Sequence, residues 1–339
     1  MRFALPGLHR SDMAASGLIA VVIRFALVVV LATMVTACEG ITPLMQAAKD
    51  GDAERTSALI ANGANVDELS DYRWSALMFA AHYGHANVVD LLLQAGANPN
   101  VQSERVTNAR SQTGIRRSNA LQEAIDNGHI DIARVLLDSG ARPDPTAFAM
   151  AGGANDLALL EKMLALGANP NTLSPDTNYV TALCVASYQG DLQAAQWLIE
   201  KGADVNLEAL HCNAFYAAVA GDNLVIAKLL ISNGARPNVQ YWPTKETPLL
   251  RCVRLHTMSP AYDSEFKLLE FLLSLETDRS YRVKDWPYEN RTPLEFVNSE
   301  RDRAEERSHL PGFDFDWPGG TPQLIEKHDA VIELLRDNP

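Results

Sequence analysis

A short pattern, Gly-Ala followed by a polar residue and then Val or Pro, occurs six times in the chain. The copies begin at Gly63, Gly96, Gly140, Gly167, Gly202 and Gly234, so successive glycines are 33, 44, 27, 35 and 32 residues apart. A recurrence near 33 residues is typical of a chain built by stacking one small unit. Such an array presents a long surface rather than a closed pocket. Binding is therefore the expected function, and catalysis would need separate evidence.

The second copy best shows what one unit folds into. Leu77, Ala80 and Ala81 fall on one face of a short helix, and Gly84 follows as a C-cap residue that tolerates the left-handed conformation. A second helix, apolar on several sides, covers residues 88–93 and is followed by a segment with turn chemistry. Each unit is therefore predicted to contain two short helices joined to the next unit by a turn.

These residues resemble the ankyrin repeat, which opens with T-P-L-H, continues with A-A-x-x-G-H and closes with V-V-x-L-L-L-x-x-G-A-x-x-N. Thr-Pro-Leu occurs at 42–44, 247–249 and 292–294, and Gly-His occurs at 84–85 and 128–129. The resemblance implies an all-α fold, an ankyrin-repeat solenoid of stacked helix-turn-helix units with hairpin-like tips. The His of T-P-L-H is absent throughout. The Thr–His bonds that join consensus repeats are therefore expected to be weak or missing, and the array less stable than an ideal one.

The resemblance covers nearly all of the chain after residue 40 and predicts an ankyrin domain of about eight units over residues 38–339. Three of these units are irregular, namely those at 145–171, 245–278 and 290–337. The first leaves little room for its first helix. The second is interrupted around Thr257–Ser264, and the third is split by Glu300–Thr321. Insertions in repeat arrays are expected to form loops on one edge.

Residues 1–37 lie outside the repeats and have the pattern of a secretory signal peptide, with a basic start, an apolar centre and small residues at the end. The apolar run Phe25–Ala37 is too short to span a bilayer, which takes roughly 20 residues. Either Met1 or Met13 can be the true start, because residues 13–37 alone make a complete signal.

The signal ends in Val35-Thr36-Ala37-Cys38, which resembles the bacterial lipobox. The resemblance implies cleavage before Cys38 and lipidation of that residue. Because Glu39 rather than Asp follows, it also implies anchoring at the outer membrane, facing the periplasm, in a Gram-negative cell. The alternative is an ordinary signal followed by a chance cysteine.

The net charge of −13 disfavours nucleic acid and anionic lipid headgroups as partners. Contact with the membrane is therefore expected only through the lipid anchor. One local exception is the loop from Arg105 to Arg117, which carries four arginines. We expect it to be solvated surface, with an acidic patch on a partner as the alternative.

Three cysteines follow Cys38. Cys252 stands where other units have the buried Ala of the first helix, so it is expected to be a small core residue. Cys184 and Cys212 lie in adjacent units, and an oxidising compartment would permit a disulfide between them. Their positions within the repeat differ, however, and the sequence leaves the pairing open. Because three is an odd number, at least one thiol is expected to stay free.

No catalytic motif stands out. The sequence has no Gly-rich phosphate loop, no G-x-S-x-G, no H-E-x-x-H and no C-x-x-C. His85 and His129 occupy the ordinary Gly-His position and are expected to be structural. His82 and Asp90 lie near His85 in sequence, but their repeat positions point in different directions. We therefore predict no enzyme activity, no cofactor and no metal site.

The resemblance places ankyrin binding residues at the tips and at the last two positions before the Gly that ends the first helix. Bulky aromatic side chains stand at several of these places, and aromatic residues often anchor interfaces. The predicted protein-binding residues are Tyr72, Trp74, His82, Tyr83, Asn127, Tyr179, Tyr188, Gln189, Tyr241 and Trp242. Trp74 and Trp242 have an alternative role as covers of the adjacent helix ends, and Trp197 is expected in the core.

The sequence thus predicts a monomeric, lipid-anchored envelope protein that binds a protein partner through its concave ankyrin surface. It would act either as a companion or protective factor for an envelope enzyme or as an immunity-type neutraliser of a periplasmic effector. Two alternatives stay open. One is an enzyme whose site lies in the irregular C-terminal units. The other is a cytosolic or host-injected ankyrin effector with a misread amino terminus.

Overall fold

The computed structural model describes residues 40–103, 105–109, 112–175, 180–207, 213–241, 245–258, 266–275, 277, 280, 291–308 and 320–337. Several predictions concern residues outside these ranges. They are the signal peptide with Cys38, the pairing partner Cys212, and two of the predicted binding residues, Tyr179 and Trp242.

The described chain is helical apart from one β-hairpin. The elements are α1 (Pro43–Asp50), α2 (Ala53–Ala61), α3 (Ala76–Tyr83), α4 (Ala86–Gln94), β1 (Arg105–Ala109), β2 (Gln112–Arg116), α5 (Ala120–Asp126), α6 (Ile130–Asp138), α7 (Pro145–Ala151), α8 (Leu157–Ala165), α9 (Ala182–Gln189), α10 (Leu192–Glu200), α11 (Ala214–Ala220), α12 (Leu224–Ser232), α13 (Pro248–Met258), α14 (Lys267–Ser274), α15 (Pro293–Ser308) and α16 (Gly320–Asp337).

The elements fall into two compact units, residues up to 123 and residues from 124 onward, with the division inside α5. In the first unit, α1 packs on α3 and α2 packs on α4. In the second, the first helices α7, α9, α11 and α13 pack on one another in order, and the second helices α6, α8, α10, α12 and α14 do the same. Within each unit, first helices therefore stack on first helices and second helices on second helices. The predicted ankyrin-repeat solenoid class is confirmed.

Each first helix begins at a side chain that accepts a hydrogen bond from a backbone N–H of its first turn, which satisfies a donor that the helix leaves unpaired. Thr42 accepts from Met45 N, and Thr292 accepts from Glu295 N. Glu295 returns a bond by accepting from Thr292 N at 2.9 Å, which completes a capping box. Where T-P-L-H would place His, Glu295 thus bonds within its own helix.

Asparagines at the tips connect neighbouring repeats of the second unit. Asn206 donates through Nδ2 to Gly234 O at 2.8 Å and accepts from Arg236 N at 2.9 Å. Asn171 makes the equivalent pair of bonds, to Gly202 O and from Asp204 N. The Gly-Ala motifs at Gly202 and Gly234 therefore present their backbone to the preceding tip asparagine.

Histidine or asparagine at the start of a second helix forms another connection between repeats. His85 Nε2 lies 3.0 Å from Lys49 O at the end of α1. Asn223 stands at the equivalent position before α12 and donates to both Ser187 O and Tyr188 O at the end of α9. The structural role predicted for His85 is therefore confirmed.

The core between first helices consists largely of alanine, which lets backbones approach closely. Gly152 and Gly221 mark the tightest places. A Cβ added at Gly152 would lie 2.3 Å from Ala182 O, and one added at Gly221 would lie 2.1 Å from Tyr188 O. Both glycines have negative φ, so what requires glycine here is the neighbouring helix rather than the conformation.

The irregular units are more helical than the sequence indicated. The fourth unit has room for a first helix, because α7 covers Pro145–Ala151. In the seventh, α13 continues through Thr257 to Met258, so the predicted interruption does not begin at Thr257. In the eighth, the charged stretch after Glu300 was expected to split the unit, but it lies within α15, which packs against α16.

The arginine-rich segment predicted as a loop is a β-hairpin. Residues Arg105–Ala109 pair antiparallel with Gln112–Arg116, from the pair Arg105 with Arg116 to the pair Ala109 with Gln112. At its base, Ser103 N donates to Ser118 O at 2.7 Å, and the two serine hydroxyls lie 2.9 Å apart. The segment therefore forms a two-stranded antiparallel ribbon. A strand has a period of two residues, so the helical period of the repeats did not indicate this hairpin.

Two cysteines are described. Cys252 is a buried free thiol, as predicted from its place in the repeat. Cys184 is also buried and is disulfide-bonded. Trp197 lies in the core, which confirms the prediction for it. None of the helices in the described ranges combines the length and the apolar character needed to cross a membrane.

Candidate protein-binding site

Three of the predicted binding residues come together in the first unit. Trp74 follows the tip and contacts Phe79 and His82 of α3, with ring centroids 5.0 and 5.4 Å apart. Tyr83 packs edge-on against His82, at 4.8 Å between centroids. Tyr83 is 45% exposed, whereas Trp74 is half-buried. Tyr83 is therefore available to a partner, and Trp74 supports the ring beside it.

His82 has a charged neighbour as well as an aromatic one. Its Nδ1 lies 2.8 Å from Glu123 Oε2 in α5. This contact holds the imidazole at the end of α3, between Trp74 and Tyr83. Tyr72, at the tip before α3, is 56% exposed. Asn127 belongs to the second unit and is exposed just after α5.

The second unit contains a pocket of about 350 Å³ on its first helices α9, α11 and α13. It arises from side-chain size at two equivalent positions, four and seven residues after each N-cap. These positions hold Val185 and Tyr188 in α9, Ala217 and Ala220 in α11, and Arg251 and Arg254 in α13. Since the middle helix has only alanines there, larger residues on both sides enclose a hollow.

An aromatic stack and a buried carboxylate form the rest of the pocket wall. Tyr216 and Tyr241 stack face to face, with centroids 4.6 Å apart and planes 7° from parallel. Tyr216 donates its hydroxyl to Glu246 Oε2 at 2.7 Å, and Arg254 Nε donates to Oε1 at 3.0 Å. Glu246 is 2% exposed, and a buried charge needs a partner of opposite charge. Arg254 supplies that charge.

Arg251 differs from Arg254. Its Nε is buried and has no hydrogen-bond partner among the residues that the structure describes. A buried donor of this kind costs about 1–3 kcal/mol when it stays unpaired. The pocket is thus mainly apolar, and one guanidinium in its wall has an Nε donor without a partner among the described residues.

Of the residues predicted in this unit, Tyr188 and Tyr241 line the pocket, and Gln189 is exposed beside Tyr188. Tyr188 is 55% exposed at the rim. Sequence reasoning missed Glu246 and Arg251. The signal was present as arginines at first-helix positions where the unit before has alanine, but the repeat pattern drew attention to the tips and helix ends.

The C-terminal part contains one pair of groups that resembles catalytic chemistry. Cys252 Sγ lies 3.5 Å from His256 Nδ1. Burial raises the pKa of the Cys252 thiol well above its ordinary value, and burial lowers the pKa of His256. These directions favour a neutral thiol beside a neutral imidazole, the opposite of the thiolate that a nucleophile requires. Within the described ranges, no group of three His, Cys, Asp or Glu side chains could hold a metal ion.

Comparison with known families agrees with the fold. A family model described as ankyrin repeats (3 copies) matches residues 14–103 and 148–241, which is more than half of the chain. The first match begins inside the segment that the sequence predicts to be a signal peptide. The chain belongs to the ankyrin-repeat family, whose fold serves as a non-catalytic scaffold for protein binding.

Individual relatives match only parts of the chain. An ankyrin repeat-containing protein of Treponema pallidum (strain Nichols) is 52% identical over 63 residues, 18% of this chain and 21% of that protein. Ankyrin repeat protein FPV022 of fowlpox virus is 28% identical over 148 residues, 43% of this chain. The chain spans less than a quarter of the length of both relatives. The human ASB11 ankyrin repeat domain superposes with a TM-score of 0.53 at 24% identity, covering 69% of this chain and 97% of that domain.

Proposed function

We propose that this protein is exported, anchored to the cell envelope through a lipid on Cys38, and binds a protein partner through the first-helix side of its repeats without catalysing a reaction. The observation that carries the binding role is the pocket on α9, α11 and α13, with the exposed Tyr188 at its rim. Aromatic side chains that are partly exposed beside a preformed hollow are typical interface anchors.

Two observations support export. The sequence before Cys38 resembles a lipobox after an apolar run. Cys184, far along the chain, is disulfide-bonded. Structural disulfides persist in oxidising compartments such as the periplasm and are rare where glutathione or thioredoxin keeps thiols reduced. A disulfide in a repeat core favours an envelope protein over the alternative of a cytosolic effector.

Site-specific photocrosslinking tests the binding role. The full-length protein, expressed in its host, carries a photoreactive phenylalanine analogue at Tyr188 or Tyr83. Val225 is the matched control position, since it is exposed on the second helix α12. We expect a discrete crosslinked product, identifiable by mass spectrometry, at the first-helix positions and not at Val225. Equal products at all three positions, or none at any, would reject the assigned surface.

Labelling with an alkyne palmitate analogue tests the anchor. The wild-type protein should take up the label and sediment with membranes, whereas Cys38→Ser should lose the label and migrate as the uncleaved precursor. An unlabelled wild-type protein, or a Cys38→Ser variant with unchanged mobility, argues against lipidation at this residue.

The captured partner then distinguishes the two proposed roles. If the partner is a toxic effector, adding the purified ankyrin protein should abolish its activity, as expected of an immunity-type neutraliser. If the partner is an envelope enzyme whose activity or lifetime is maintained or increased, the protein acts as a companion or protective factor.

A further inference from the structure

We propose that the pocket of the second unit receives an acidic side chain, Asp or Glu, that the partner protein presents next to an apolar residue. This inference rests on the proposed function, because the occupant is a segment of the bound protein. It adds a chemical rule for which segment binds and names the residue that selects it, Arg251.

The first step is the charge balance of the pocket wall. Two guanidinium groups, from Arg251 and Arg254, face one carboxylate, from Glu246. Arg254 and the Tyr216 hydroxyl already donate to the two oxygens of Glu246. The charge of Arg254 is therefore compensated, whereas Arg251 brings a positive charge for which the described residues of the wall supply no separate carboxylate.

The second step concerns hydrogen bonding. The buried Nε of Arg251 has no partner in the described part of the chain. A guanidinium presents its N–H groups as a planar fork that matches the two oxygens of a carboxylate. A bound Asp or Glu would supply the missing negative charge and would accept from the N–H groups of Arg251 that reach the pocket wall, rather than from the buried Nε. A neutral amide would supply an acceptor without the charge.

The third step concerns the apolar remainder of the pocket. The stacked rings of Tyr216 and Tyr241, the methyl groups of Ala217 and Ala220, and Val185 offer hydrocarbon surface rather than further donors. A free inorganic anion would leave this surface uncovered. A peptide segment with an acidic side chain and an apolar neighbour would cover it while pairing with Arg251. Tyr188, exposed at the rim, lies where the chain of such a segment would continue.

Selection of peptides provides the test. A random 12-residue peptide library displayed on phage is panned against the full-length protein in detergent micelles, in parallel with Arg251→Gln. We expect wild-type selections to converge on an acidic residue beside an apolar one, and Arg251→Gln selections to lose the acidic preference. Arg236→Gln is the matched control, because Arg236 is an exposed arginine of the same unit, and it should select as the wild type does.

The strongest wild-type peptide is then titrated by fluorescence polarisation, together with its version carrying Gln or Asn in place of the acid. Wild type should lose about ten- to a hundredfold in affinity on that change, the size expected for a hydrogen bond to a charged group. Arg251→Gln should bind both versions about equally, since the partner of the carboxylate is gone. Ala220→Leu keeps Arg251 and fills the hollow, and it should bind neither version tightly.

The outcomes are distinct. A wild-type consensus without an acidic residue, no enrichment at all, or an equal loss for wild type and Arg251→Gln would overturn the carboxylate rule. Photocrosslinking from Tyr188 to a partner would remain positive in those cases if the protein-binding role is correct. Absence of a crosslink at both Tyr188 and Tyr83 would instead reject the proposed function itself. Should Arg251→Gln fail to fold, Ala220→Leu decides whether the pocket is used.

Discussion

His328 in α16 should make the C-terminal helices sensitive to mild acid. The side chain is 2% exposed, and neither ring nitrogen has a well-formed hydrogen bond among the described residues. Burial lowers its pKa to about 4, against 6.5 for an exposed histidine. Arg301 and Lys327 act in the same direction, whereas Asp329 and the backbone of Thr257 oppose it.

The direction of the pH effect on stability depends on whether the unfolded or the folded state binds the proton at the higher pH. Because the folded-state pKa lies below the unfolded value, the unfolded form takes up a proton as the pH falls through 6.5 while the folded form stays neutral. The contribution of His328 to stability is therefore almost constant above pH 7, and stability declines through this residue as the pH falls toward 4. With the two pKa values 6.5 and about 4, the loss between pH 7.5 and 5.0 amounts to about 2 kcal/mol, or roughly 30-fold in the opening equilibrium.

Hydrogen exchange read by mass spectrometry measures this locally, which suits a repeat array whose parts can open separately. Peptides covering α15 and α16 are followed at pH 7.5 and 5.0 in the wild type and in His328→Leu. Comparing the two proteins at one pH cancels the intrinsic exchange rate. The gain in protection from the substitution should be about 2 kcal/mol larger at pH 5.0 than at pH 7.5, because leucine has no proton to bind.

Helices α1–α4 provide the internal control, because they belong to the other compact unit, and their protection should be the same in both proteins at each pH. Buried His256, whose pKa is also lowered by burial, is present in both proteins and cancels. If the difference between wild type and His328→Leu does not depend on pH, the imidazole is not buried in the neutral form and the reasoning fails.

Three further predictions concern stability. Leu92→Ala should lower the free energy of unfolding in urea by about 2–5 kcal/mol, because Leu92 is fully buried. Truncation of the half-buried Leu91 to alanine should lower it less. The reverse order would show that α4 is rotated. Gly221→Ala should lower the thermal midpoint, with a loss of about 1–3 kcal/mol, because the added methyl meets Tyr188 O; an unchanged midpoint would mean that α9 and α11 separate at no cost. Asn206→Ala removes two hydrogen bonds between tips and should lower the free energy of unfolding in urea by about 1–2 kcal/mol. An unchanged free energy would mean that water replaces those bonds without loss.

The sequence predicted the repeat because its signals are local. Gly84, for example, ends α3 in the left-handed conformation, and only the nearby apolar pattern is needed to place it. The irregular units were harder for the same reason. The charged residues of α15 lack a helical apolar face that a reader can recognise, yet the helix forms because it packs on α16. Tertiary contacts therefore determine whether these residues form a helix, and the local sequence pattern does not show those contacts.

The candidate pocket could be predicted only in part. Tyr188 and Tyr241 were found because they stand at places where ankyrin repeats bind. Arg251 and Glu246 were not, because a hollow depends on the sizes of side chains in three successive units at once. Reading equivalent positions down the stack, rather than along each unit, is what shows that Ala217 leaves space for another molecule.

The tip asparagines also bear on how such a chain can change in length. Asn171 and Asn206 each hold the Gly-Ala backbone that begins the next tip, through the same donor and acceptor. If residues 172–206 were removed, Asn171 would face Gly234 and Arg236, which are the partners that Asn206 has now. The tip contact at the new junction would have the same donors and acceptors as the old one. A gene for this protein could therefore lose or duplicate a whole repeat in one recombination event and keep the hydrogen bonds between neighbouring tips.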